Sequence, residues 1–111
     1  MEPETRSFAV AKVGELEPGH AKFIKIGRLE IALFNIDGTF YAIDDQCTHM
    51  RARLSDGYIE GHIVECPLHF GKFDIRTGKA CSPPVTEDTR TYPVVVEDDV
   101  VSLKLTLKAS A

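Results

Sequence analysis

The chain has 111 residues, of which 43% are hydrophobic and 27% charged, a composition typical of a compact globular domain. A formal net charge of −4, with the basic residues scattered along the chain, argues against nucleic-acid binding. The longest apolar runs are four residues, far below the ~20 of a membrane span, and the acidic N-terminus has no signal-peptide pattern. We therefore expect one domain over residues 1–111, cytoplasmic and without membrane contact.

Short strands are predicted along the first part of the chain. Residues 8–13, 21–26, 29–35 and 39–43 are apolar or β-branched segments separated by Gly-containing or Pro-containing turns. Glycine and proline recur so often that long helices have little room. Strands at intervals of eight to twelve residues are typical of a β-sandwich or small barrel.

The C-terminal segment has the clearest pattern. Apolar residues occupy every second position from Val101 to Leu107, and the polar residues Ser102, Lys104 and Thr106 stand between them. This period of two predicts a strand with one buried face. A β-branched run at 94–96 precedes it, with Glu97-Asp98-Asp99 as the turn of a hairpin. The fold class is thus all-β.

The regular spacing of strands is interrupted between residues 44 and 90, and the inserted part spans about residues 44–84. Two loops, 44–56 and 66–72, are separated by a predicted hairpin over 57–65, and a second hairpin over 72–80 follows, turning at Arg76-Thr-Gly. We interpret this region as a small β-subdomain inserted into the larger β framework.

Four potential metal ligands lie in the inserted region. Cys47-Thr-His49 is a Cys-x-His pair, and Cys66-Pro-Leu-His69 is a Cys-x-x-His pair, with sixteen residues between them. The intervening hairpin would bring the two loops together. The spacing therefore predicts one metal centre between two loop tips.

The residues alone leave three interpretations open. A structural zinc site normally groups its cysteines in one knuckle, whereas each loop here has one Cys and one His, which favours a redox centre. A zinc-stabilised β binding module without a redox role is the alternative. A thiol enzyme with Cys66 as nucleophile and His69 as base is the third, although no orienting group is evident. Three cysteines without an export signal argue against a disulfide framework.

The two motifs together resemble the Rieske family of iron–sulfur proteins. The resemblance includes Leu54-Ser-Asp-Gly57 and covers about residues 8–107. It implies a Rieske-type β-sandwich or barrel framework with one [2Fe-2S] cluster, in which His₂ replaces Cys₂ on one iron. The implied ligands are Cys47, His49, Cys66 and His69.

Within the family, residues 66–79, 83–86 and 91–93 look like the ferredoxin components of bacterial aromatic-ring-hydroxylating dioxygenases, of the naphthalene and biphenyl type. This resemblance implies a non-catalytic carrier that passes single electrons from a flavin-containing reductase to a terminal oxygenase. The imidazoles at the loop tips would be the exit for the electron. Docking is expected around His49 and His69, within an apolar collar of Met50, Leu68, Phe70, Pro83 and Pro84.

The resemblance also implies a low reduction potential. High-potential members have a disulfide where Ala52 and Leu68 stand here, and hydroxyl groups where Gly71 and Phe73 stand. Fewer hydrogen bonds to the cluster sulfurs place the potential toward the ~−150 mV end of the Rieske range.

Three further residues near the motifs are not expected to be cluster ligands. Cys81 is expected to be a small buried or half-buried thiol outside the ligand set. Arg51 and Arg53 are expected to form a solvated face beside the first loop, with the steering of an acidic partner as the alternative.

Overall fold

The computed structural model describes residues 4–47, 52–68, 71–82 and 87–107. These ranges contain eleven β-strands and no α-helix, which confirms the predicted all-β class. Among the described residues, no helix has the length and apolar character needed to cross a membrane. The strands are β1 (Glu4–Lys12), β2 (His20–Ile26), β3 (Leu29–Ile36), β4 (Thr39–Asp44), β5 (Tyr58–Glu60), β6 (Ile63–Glu65), β7 (Lys72–Asp74), β8 (Ala80–Ser82), β9 (Thr91–Tyr92), β10 (Val94–Glu97) and β11 (Val100–Leu107).

The strands form three antiparallel sheets. An outer sheet has the order β1-β11-β10, and a central sheet has the order β2-β3-β4-β9. A third sheet, which we call the loop sheet, has the order β5-β6-β7-β8 and lies within the region predicted as an insertion.

The central sheet is covered on both faces. In β3, Ile31 and Leu33 belong to one core cluster, which includes Leu103 of the outer sheet. The alternate residue Phe34 belongs to a second cluster, together with Phe73 of the loop sheet. Successive side chains of a strand point to opposite faces, so the uninterrupted apolar run in β3 follows from burial on both sides.

The predicted C-terminal hairpin is confirmed, with a shorter turn than expected. Glu97 still pairs with Val100 in the ladder, so the turn consists of Asp98 and Asp99 alone. Both have positive φ, 50° and 67°, as a two-residue type I′ turn requires. At the other end of the chain, β1 ends at Lys12, and Val13, predicted as strand, begins a 3-10 turn.

The expectation that Cys81 is buried or half-buried is wrong. In the loop sheet, Lys72 pairs with Ser82 and Phe73 pairs with Ala80, so Cys81 is the extra residue of a β-bulge. Ala80 packs toward the second core, whereas Cys81 is exposed. Its Sγ lies 3.3 Å from the carbonyl oxygen of Lys79.

Candidate metal centre

The first cysteine loop begins directly after β4 and is closed at its base by backbone hydrogen bonds. The Asp45 N–H donates to the carbonyl of Glu30 at 2.9 Å, and the Asp45 carbonyl accepts the N–H of Leu54 at 2.6 Å. Two residues further in, the N–H of Cys47 donates to the carbonyl of Ala52 at 2.9 Å. These bonds fix Cys47 against β3 and the 3-10 turn Leu54–Asp56.

The second cysteine loop connects β6 and β7 in the loop sheet. Glu65 pairs with Lys72 at the end of the ladder, and the N–H of Cys66 donates to the carbonyl of Gly71 at 2.8 Å. Each cysteine therefore donates its N–H to the carbonyl five residues later. The two loops are closed in the same way.

Both cysteine side chains lie in the core between the central sheet and the loop sheet. Cys47 is 1% exposed and Cys66 0% exposed, and both belong to the second core cluster. All three cysteines of the chain are among the described residues, and none forms a disulfide. Two buried thiols at equivalent positions of two matched loops are a donor set that fits one half of a two-iron site.

The other predicted residues of the centre lie in the gaps between the described ranges. His49, Met50 and Arg51 fall in the gap 48–51, His69 and Phe70 in 69–70, and Pro83 and Pro84 in 83–86. The structure thus brings Cys47 and Cys66 into one core cluster. The histidine ligands remain a prediction.

Asp45 is a buried residue near the centre that the sequence analysis did not single out. Its side chain is 0% exposed, and its Oδ1 accepts the N–H of Ser55 at 2.8 Å. Ile43, Asp45 and Cys47 are all buried at a spacing of two. The three residues continue the alternation of β4, in which every second side chain points to the same core, and this spacing was the sequence signal for a buried Asp45.

Arg53 does more than form a solvated face. Its guanidinium carbon lies 4.1 Å from the centroid of the Phe23 ring, and its Nε lies 3.9 Å from Oδ2 of Asp45. Gln46 pairs with it in an isolated β-bridge. The arginine therefore covers the base of the first loop, held between an aromatic ring and a buried carboxylate.

The neighbouring residue, Asp44, forms a second carboxylate–arginine pair. Asp44 accepts a hydrogen bond from the Tyr92 hydroxyl, and Arg90 Nε lies 4.0 Å from its Oδ2. Burial, and then the hydrogen bond to the carboxylate, raise the pKa of Tyr92 to about 12. These contacts join β4 to β9 beside a groove of about 410 Å³ that reaches Cys47.

The Tyr92 pKa predicts a loss of stability at alkaline pH. The folded chain keeps the phenol proton in a range where the unfolded chain loses it, so the free energy of unfolding falls as pH rises from about 10 toward 12. Tyr92→Phe should remove this fall while costing about 1 kcal/mol at neutral pH through the lost hydrogen bond. Urea unfolding of both proteins at about pH 8 and about pH 11 measures the difference; equal pH dependence would contradict the assignment.

Comparison with known proteins identifies the family. The family model of the Rieske [2Fe-2S] domain matches residues 6–93. A ferredoxin component of naphthalene 1,2-dioxygenase/salicylate 5-hydroxylase systems from Ralstonia sp. is 46% identical over 95 residues, which are 86% of this chain and 91% of the relative.

Two solved structures agree with this match. A ferredoxin from Sphingomonas yanoikuyae B1 superposes with a TM-score of 0.85 at 36% identity, over 90% of this chain and 99% of that one. A chain in the complex of reduced oxygenase and oxidized ferredoxin of carbazole 1,9a-dioxygenase superposes with a TM-score of 0.83 at 32% identity, over 86% of this chain and 99% of that one. The family match spans most of the chain, and it includes both cysteine loops. This chain belongs to the Rieske [2Fe-2S] family.

Proposed function

We propose that this protein is the electron-carrying ferredoxin of an aromatic-ring-hydroxylating dioxygenase system, and that it works in the cytoplasm between a flavin-containing reductase and a terminal oxygenase. The family match carries the proposal, because it covers both cysteine loops, and the ferredoxin relative matches 91% of its length. The complex of oxygenase and ferredoxin in the carbazole system supports an oxygenase as the partner that receives the electron.

The proposed ligands are Cys47, Cys66, His49 and His69. The bound cluster supplies a site that gains and loses one electron at a time. The chain would contribute two thiolates from the buried core and two imidazoles from the loops, and with neutral imidazoles the site would be less negative than with four thiolates. We also propose that residues 44–84 form the cluster-binding subdomain of a single domain spanning residues 1–111.

Burial of the thiols makes the loop tips the natural place for electron exit. The cysteines are enclosed by the second core, whereas Leu68, between Cys66 and His69, is 60% exposed. Leu68 is the one residue of the predicted apolar collar that lies in the described ranges. A small, weak interface around it suits a carrier that must leave one partner to reach the next.

The metal content of the purified protein tests the proposal. We expect a red-brown protein with about two irons and two acid-labile sulfides per chain, and an electron paramagnetic resonance spectrum of mixed nitrogen and sulfur ligation after reduction. A colourless protein with stoichiometric zinc would support the zinc-stabilised binding module instead. A colourless, metal-free protein with an alkylation-sensitive activity would support the thiol enzyme.

Leu68→Glu tests the docking surface. A charge at the centre of an apolar contact should slow reduction of the oxygenase by on the order of tenfold, which corresponds to the ~1.4 kcal/mol of a substantial contact residue. Stopped-flow mixing of the reduced variant with oxidised oxygenase measures the rate. Because Leu68 is exposed, the iron content and the visible spectrum should stay unchanged.

A matched control lies on the outer sheet. Val96, in β10, is 47% exposed, so Val96→Glu adds the same charge to an exposed apolar position outside the loop sheet. It should leave the transfer rate at the wild-type value. Equal slowing by both variants would mean that net charge, and not the loop surface, controls the encounter.

A further inference from the structure

The two cysteine loops differ in charge although they are closed in the same way. Aligned on Cys47 and Cys66, the residue two positions earlier is Asp45 in the first loop and Val64 in the second. Both side chains are fully buried. The first loop therefore places a carboxyl group where the second places an apolar side chain.

The Asp45 carboxyl group is only partly satisfied. Oδ1 accepts the N–H of Ser55, but Oδ2 is buried and makes no hydrogen bond to any residue that the structure describes. The cationic group that faces it is Arg53, whose Nε at 3.9 Å is beyond hydrogen-bond distance. Burying an acceptor oxygen without a hydrogen bond costs free energy of folding, so Oδ2 needs a compensating charge nearby.

Arg53 balances this carboxyl group from the solvent side. The arginine side chain is 54% exposed, yet its position is fixed by the ring of Phe23 and by the backbone bridge with Gln46. An arginine guanidinium is a permanent cation in proteins. The neighbouring Asp44 differs, because the Tyr92 hydroxyl and Arg90 already face its two oxygens.

We propose that Asp45 and Arg53 are a pair of opposite charges that tunes the reduction potential of the centre beside the first cysteine loop. This inference rests on the proposed cluster ligands. A carboxylate buried two residues from Cys47 would oppose the uptake of an electron, and the positive charge of Arg53 beside it would favour uptake. The Asp45 side chain is fully buried, so its charge is screened weakly by solvent, whereas the half-exposed Arg53 should have the smaller effect of the two.

Three single variants of the holoprotein separate the two charges. Asp45→Asn keeps an acceptor for the Ser55 N–H and removes the negative charge, so the midpoint potential should rise. Arg53→Met removes the positive charge and should lower the potential. Arg53→Lys keeps the charge without the planar stack on Phe23 and should stay near wild type. The double variant Asp45→Asn/Arg53→Met should return toward the wild-type potential.

The control uses an ion pair in the turn that follows β7. Arg76 Nη2 lies 3.2 Å from Oδ2 of Asp74, which lowers the pKa of Asp74 chiefly through their hydrogen bond. Arg76→Met removes one positive charge as Arg53→Met does, and should leave the potential unchanged. The paramagnetic spectrum of every variant should match wild type, because the ligands are untouched.

The outcomes distinguish the two levels of the proposal. A wild-type protein that holds no iron–sulfur cluster would overturn the proposed function itself. A loaded protein in which Arg53→Met and Arg76→Met shift the potential equally, or not at all, would overturn the role of this pair. If Asp45→Asn fails to fold, the exposed Arg53 variants still decide the question.

Discussion

Alanine at Cys66 should abolish cluster binding and with it every electron-transfer function of the chain. The iron content is expected to fall from about two per chain to near zero, with loss of the visible absorbance, because each iron site in such a centre depends on its thiolate or imidazole donors. The same result is expected for Cys47→Ala, since the two cysteines occupy equivalent positions in matched loops. Iron and sulfide analysis of the purified variants measures the effect.

Cys81→Ala is the control for both variants. Cys81 is exposed on a bulge of the loop sheet and lies outside both cysteine loops, so its removal should leave two irons and an unchanged spectrum. Retention of a full cluster in Cys66→Ala would refute the proposed ligand set. Loss of the cluster in Cys81→Ala would instead place this third thiol in the centre.

Local sequence patterns predicted most of the framework because period and turn chemistry are local properties. The alternation at Val101 and Leu103 marked the strand, and adjacent aspartates marked the turn at Asp98. The spacing of Cys47 and Cys66 predicted two loops, and the structure gives both cysteines the same closure.

Features that depend on distant partners could not be predicted in this way. Cys81 is exposed because of a bulge in its pairing with β7, and a bulge leaves no mark in the β8 sequence. Arg53 is held by Phe23, thirty residues earlier in the sequence. In each case the tertiary environment decided what the local pattern left open.

Gly57→Ala should be strongly destabilising and should loosen the cluster. A Cβ at Gly57 would lie 2.4 Å from the carbonyl oxygen of Glu65 and 2.9 Å from Cγ2 of Val64. The first of these is backbone, so the strand or the turn must shift. We expect a loss of about 1–3 kcal/mol in the free energy of unfolding, the usual range for overpacking, which corresponds to several degrees in Tm for a chain of this size.

The effect on the cluster follows from what Gly57 connects. It ends the 3-10 turn, where its N–H donates to the carbonyl of Leu54, and that turn also holds Asp45 at the base of the first loop. Gly57 also lies close to β6, the strand that ends just before Cys66. A methyl group here therefore pushes the supports of the two cysteines apart, and the iron content of the variant should fall below two per chain.

Gly14→Ala separates this contact from the general effect of replacing a glycine. Gly14 has no positive φ, and outside its own turn of the chain no atom of the described residues lies within 4 Å of the position that an alanine Cβ would take there. Alanine should therefore be neutral or stabilise by about 0.4–1 kcal/mol through the unfolded chain. Thermal unfolding and iron analysis of the two variants side by side measure the difference. If Gly57→Ala matches Gly14→Ala in both, the close approach between the turn and β6 does not hold the two loops in place, and their spacing must instead come from the strand pairing alone.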